Sequence, residues 1–159
     1  MIIQKNKGIS LIEILVVISI IGIIAAIVVP NLSQFHKQQV LKNTAEDVIS
    51  LLNEARNSTI SSKNSTKYGV HFEEDKAILF SGDTYIESSS NKQIDFDSSV
   101  LIPEEGGINL NNNGDDITFT RITGDTGENE YGNIVIELKS DATKQKTITV
   151  NKIGIISSN

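Results

Sequence analysis

KNKGISLIEILVVISIIGIIAAIVVP, residues 5–30, governs how the rest of the chain is read. Lys5, Lys7 and Gly8 precede a run from Ile9 to Val29 in which almost every side chain is apolar. As a helix, these 21 residues span roughly 31 Å at ~1.5 Å each. That matches a bilayer core of about 30 Å. Lys5 and Lys7 ahead of the span favour an N-terminus inside and a C-terminus outside. One carboxylate, Glu13, interrupts the run. In hydrocarbon it costs at least ~2.5 kcal/mol, so it marks a candidate functional residue. Three readings compete. A plain transmembrane anchor leaves Glu13 unexplained. A secretory signal explains the basic start and the apolar run, but the run is long and no A-x-A site closes it. The third reading places cleavage ahead of the apolar run. Gly22 and Ala26 form a small-xxx-small pair that lets helices approach closely in lipid; ordinary scatter of small residues gives the same pattern.

Beyond the span, Pro30 lacks an N–H and clashes with the preceding turn, so a kink or local melting is expected there. Helical periodicity then resumes. Leu41, Ala45, Val48, Leu52 and Ala55 step by four and three along one face, and Asn43, Glu46, Asp47, Ser50, Asn53 and Glu54 lie mostly off it. Such an amphipathic segment packs its stripe on a sheet. The helix is expected over residues 9–61, ending in the polar Ser61-Ser62-Lys63-Asn64-Ser65. From Thr66 the period becomes two. Tyr68, Val70 and Phe72 alternate with polar residues or glycine. Ala77 to Phe80 follow after a short turn. Thr84-Tyr85-Ile86 predicts a short strand, and Ile94 with Phe96 and Val100 to Ile102 predict weaker ones. Asn111-Asn112-Asn113-Gly114-Asp115 is a strong turn signal. Ile117, Phe119 and Arg121 alternate with threonines. Ile134, Ile136 and Leu138 form one strand face, and Ile148 with Val150 another. Asn151 to Ile156 predict a tight turn into a last short strand. About eight strands behind one helix give an α+β domain with antiparallel sheet.

The residues Lys7-Gly8-Ile9-Ser10-Leu11-Ile12-Glu13 resemble the class III signal of type IV prepilins and pseudopilins, commonly written K-G-F-T-L-I-E. The chain departs from it at Ile9, where phenylalanine or methionine is usual. The resemblance implies that a prepilin peptidase cuts between Gly8 and Ile9 on the cytoplasmic face and N-methylates Ile9. It implies that Glu13, then the fifth residue, neutralises the N-terminal amine of a neighbouring subunit in a filament. Two charges that are each costly in an apolar core are tolerable as a pair. It implies a helix-loosening role for Pro30 and a pilin-like fold, the long helix packed on an antiparallel β domain. The organisation is then a leader at 1–8, a membrane and filament-core helix at 9–29, an amphipathic half-helix at 30–61 and a β-rich domain at 62–159. Three further stretches are similar to the H-type minor pseudopilins (the GspH/FimT group). They are Leu51 to Ile60 with its Ala55-Arg56 pair, Ile117 to Gly124, and Ile148 to Ile155.

Other functions find less support. The chain has no cysteine, which excludes disulfides and thiol catalysis. Its net charge is −6, and losing Lys5 and Lys7 with the leader brings it to −8. Arg56 and Arg121 are its only arginines, and the tail offers Lys144, Lys146 and Lys152, too few cations for duplex binding. His36 and His71 lack a local serine and carboxylate arrangement, and both read as solvated surface. No nucleotide, serine-hydrolase or zinc motif is present, so no enzyme and no cofactor are expected. Asp95, Asp97, Glu104, Glu105, Asp115 and Asp116 carry oxygens of the kind calcium uses, but no EF-hand spacing, and a solvated acidic loop explains them. The sequence therefore points to a minor pilin or pseudopilin of a type II secretion, type IV pilus or competence machine. Implied partners are the prepilin peptidase, other pilin or pseudopilin subunits and the inner-membrane assembly platform. Implied locations are the cytoplasmic membrane and then an external filament. The alternatives are a membrane-anchored β domain that binds an extracellular sugar, DNA or protein, and an abundant major pilin.

Overall fold

A computed structural model describes residues 9–61 and 65–159. Helix α1 (Leu11–Ile60) comes first, followed among the described residues by nine strands. The helix starts where expected. The Ser10 carbonyl accepts the N–H groups of Glu13 (3.0 Å) and Ile14 (3.3 Å), and Glu13 in the first turn suits the positive end of the helix dipole. The missing N–H of Pro30 removes a bond to the Ala26 carbonyl without ending the helix, which is unbroken there. Backbone contacts divide the chain into two units, one ending at His36 and one beginning at Lys37.

In the first unit the apolar side chains from Ile9 to Val28 are exposed, Leu11 at 81%. Among the described residues α1 is long and apolar enough to cross a membrane. An apolar surface of this extent needs lipid or other helices against it.

In the second unit the stripe read from the sequence is the buried face of α1. Leu41, Ala45, Val48, Leu52 and Ala55 are all buried, and Leu51 joins them. They form one core with two antiparallel sheets. The first sheet has the order β3 (Lys92–Asp95), β2 (Lys76–Ser81), β1 (Tyr68–Phe72), β6 (Asp116–Thr118). In the second, β7 (Gly132–Leu138) pairs on one side with β4 (Val100–Leu101) and β5 (Ile108–Leu110), placed end to end, and on the other with β8 (Asp141–Val150). Strand β9 (Ile156–Ser158) lies at the edge beyond β8. Ile134, Ile136 and Leu138 alternate inward as their period demands. The helix reverses into β1 through Thr59, which is fully buried. Its hydroxyl donates to the Ala55 carbonyl at 2.9 Å and accepts the Tyr68 N–H at 2.8 Å. A buried polar group is retained only with such partners.

Two strand expectations need correction, and one strand was not foreseen. Residues 84–86 form no strand; no neighbouring edge is offered, Ile86 is 74% exposed, and Tyr85 instead stacks on His71. Arg121 lies outside β6, because after a single bridge between Phe119 and Thr126 the chain turns back on itself. That turn is closed by the Thr120 N–H on the Asp125 carbonyl (2.7 Å) and the Gly124 N–H on the Thr120 carbonyl (3.0 Å). Strand β5, three residues between two turn signals, is too short to show a period.

Candidate functional site

The N-terminal site begins at Ile9; Gly8 lies outside the described residues. Ile9 is exposed and precedes α1, and Glu13 is exposed one helical turn on. Ile9 therefore stands just ahead of the helix, and the single acid of its apolar half lies in the first turn.

A second constellation joins the three stretches that resemble the H-type pseudopilins. The Arg56 Nε donates to the Gly124 carbonyl at 3.0 Å, across 68 positions of sequence. Gly124 and Gly154 both have left-handed backbones, with φ of 71° each. A Cβ on Gly154 would sit 2.0 Å from the Gly124 carbonyl oxygen, and one on Gly124 would sit 2.6 Å from the Ile60 side chain. The Thr126 N–H donates to the Lys152 carbonyl at 3.1 Å. The last turn of α1, the turn after β6 and the turn after β8 are thus pinned together at one end of the β domain. Sequence reading named these stretches separately; nothing in a single sequence says that they touch.

His71 is not the solvated side chain expected. Its side chain is 19% exposed, with Nδ1 2.5 Å from the Asp116 carboxylate and Nε2 3.9 Å from that of Glu73. Its ring stacks on Tyr85 at 4.0 Å between centroids and 5° between planes. Both ring nitrogens face carboxylates and neither faces a hydroxyl, so no nucleophile is activated here. His71 fastens the loop between β2 and β3 to the sheet. Lys76 beside it has its ammonium pKa raised, chiefly by its hydrogen bond to Glu73. Stacking adds about 0.5–1.5 kcal/mol beyond area burial. His71→Ala is therefore expected to speed amide exchange in residues 82–88 by roughly threefold to tenfold, with β7 and β8 unchanged. Unchanged loop exchange in that variant would show that the stack holds nothing.

The acidic residues do not converge. Asp97 Oδ1 accepts from the N–H (2.9 Å) and hydroxyl (2.6 Å) of Ser99, and Asp116 faces His71. Among the described residues no group of three metal-ligating side chains comes together. Glu73, Glu74, Glu104 and Asp115 instead line a cleft of about 410 Å³ with Ile102, Pro103 and Ile108. His36 is exposed on α1.

The fold is thus pilin-like, one long N-terminal helix on antiparallel sheets, with an apolar first half that carries a single acid. The family described as the prokaryotic N-terminal methylation motif matches residues 3–29. A fimbrial protein of Pseudomonas aeruginosa is 28% identical over 97 residues, covering 56% of this chain. The chain spans 63% of the length of that curated relative. The solved minor pseudopilin EpsH of the Vibrio cholerae type 2 secretion system matches at a TM-score of 0.50 and 12% identity, over 75% of this chain and 95% of that one. Motif, relative and fold agree: the chain is similar to the type IV pilins and pseudopilins.

Proposed function

We propose that this chain is a minor pilin or pseudopilin of a type IV filament machine, cut between Gly8 and Ile9 by a prepilin peptidase and N-methylated on Ile9. The observation that carries this reading is the methylation motif over residues 3–29, which runs into the apolar half of a helix of membrane-spanning length whose first turn holds Glu13. Lys5 and Lys7 favour a leader on the cytoplasmic side, with the β domain outside. The superfamily's members are structural subunits, and the geometry around His71 supplies no catalytic group. Assembly runs through the apolar half of α1. Its side chains are exposed in the isolated chain and would be covered in turn by lipid and by neighbouring helices.

The test is the intact mass and N-terminal sequence of the membrane-extracted protein, with and without prepilin peptidase. A start at Ile9 with one added methyl is expected only when the peptidase is present. A start at Met1 in both samples would reduce the chain to an ordinary anchored domain.

A further inference from the structure

We propose that the end of the β domain carrying Ile122 and Ile153 docks, head to tail, into the acidic cleft beside β1 of a second copy of this chain. The proposal rests on the filament reading and specifies a contact between β domains within it.

The docking end is costly as an isolated surface. Ile122 is 87% exposed and has a φ of 78°. For a β-branched residue that conformation is a genuine outlier, and such strain persists only where the surroundings impose it. The turn therefore holds an isoleucine in an unfavourable backbone state and points it into water. Ile153 and Ile155 flank Gly154 and are 55% and 53% exposed. The contact between Gly124 and Gly154 and the bond from Thr126 to Lys152 bring the two turns together, so these side chains crown one knob. The knob is also cationic. Arg121 and Lys152 are exposed and make no ion pair among the described residues, and Arg56 lies beneath them. Both arginines of a chain with net charge −6 thus sit at this end. Asp125 closes the same turn and Glu128 follows it, which leaves this end mixed rather than uniformly basic.

The cleft has the opposite character and the opposite place. The Phe119 N–H bonds to the Tyr68 carbonyl at one end of β1, and the Phe72 N–H to the Asp115 carbonyl at the other. Knob and cleft therefore lie off opposite ends of a five-residue strand, roughly 17 Å long. The cleft's volume is about 410 Å³, its apolar wall is Ile102, Pro103 and Ile108, and its rim is Glu74, Glu104 and Asp115. Copies with a net charge of −6 repel one another, so a productive contact must place cations against this rim. An apolar, cationic knob and a half-apolar, acidic cleft on different faces make a heterologous contact, which propagates into open helical rows rather than closing as a dimer.

The test uses the full chain in cells that express the prepilin peptidase. The chain has no cysteine of its own, so I153C on one tagged copy and E104C on a differently tagged copy introduce its only thiols. Mild oxidation is expected to join the two tags. The pair I153C with Q145C, on the exposed part of β8, is expected to stay unjoined. R121E is expected to lower the yield roughly tenfold, and E74R in the opposite copy to restore it. Three results overturn the proposal: a yield no higher than the control pair, cross-links only between two Ile153 positions, or capture of a different cysteine-bearing protein. Sheared filaments from the same cells report separately on the filament reading. Chain present there without the cross-link sinks the docking contact alone; a cross-link without chain in filaments sinks the filament reading alone.

Discussion

Glu13→Ala is expected to leave cleavage after Gly8 intact and to reduce the amount of this chain in sheared filaments by a hundredfold or more. The argument is electrostatic. Cleavage after Gly8 would create a new amine at Ile9, just ahead of a half-helix whose side chains are exposed and almost wholly apolar. Packing that end into a bundle of similar helices takes the ammonium out of water. With a carboxylate from a neighbouring copy beside it the charge is tolerable. Removing one partner of a buried pair costs about 3–5 kcal/mol, and 1.36 kcal/mol is tenfold in an equilibrium. The competing role of Glu13 is smaller. As an acid in the first turn of α1 it stabilises the helix terminus by only about 0.3–1 kcal/mol. A loss of about fivefold or less would therefore assign Glu13 to the helix dipole, and a loss of two powers of ten to charge pairing between subunits. Glu13→Gln separates the charge from the side chain's bulk and should behave like the alanine variant. The measurements are N-terminal sequencing of the membrane fraction and quantitative immunoblotting of the sheared fraction. Normal assembly of either variant would end the pairing argument.

What could be read from the sequence follows the range of the forces involved. Local periodicity gave the helix to within two residues at each end, and it gave five of its six buried apolar positions, missing Leu51. Strands β1, β2, β7 and β8 were legible because each has enough residues to display alternation or a buried run. Tyr85 and Ile86 have strand-forming side chains, but strand formation needs a partner edge, and none is reached. The division into two sheets depends on which strands pair, and pairing is not written in local pattern. The site divides the same way. Gly8, Ile9 and Glu13 stand in one short motif, so a single sequence is enough to nominate them. Arg56, Gly124 and Gly154 lie far apart along the chain and meet only in the fold. His71 and Asp116 are likewise 45 positions apart, which is why His71 read as solvated.

That meeting of distant turns can be tested by crowding it. Gly154→Val is expected to destabilise the β domain by about 3–5 kcal/mol, from three sources. Gly154 has a φ of 71°, which costs a residue with a side chain roughly 1–2 kcal/mol, and valine is at the upper end. A Cβ would lie 2.0 Å from the Gly124 carbonyl oxygen and 2.8 Å from the Arg56 Nε, so backbone must move rather than a flexible side chain. That movement breaks the bond from Arg56 to Gly124, a hydrogen bond to a charged group of about 1.5–3 kcal/mol. Gly106 supplies the control. It has a φ of 77°, yet nothing lies within 4 Å of its Cβ position, so Gly106→Val should show the conformational cost alone, about 1–2 kcal/mol. Thermal unfolding of the full chain in detergent, followed at the β domain, should place the Gly154 variant about 10 °C or more below the parent and the Gly106 variant a few degrees below. Equal shifts for the two would mean that the turn after β8 yields freely, and that Arg56 does not lock the helix end to it. A large difference would make the three turns a single rigid unit. That rigidity is the condition for Ile122 and Ile153 to be presented together: a docking knob whose turns moved independently would have to be ordered on binding, at about 0.5–1.5 kcal/mol for each side chain immobilised.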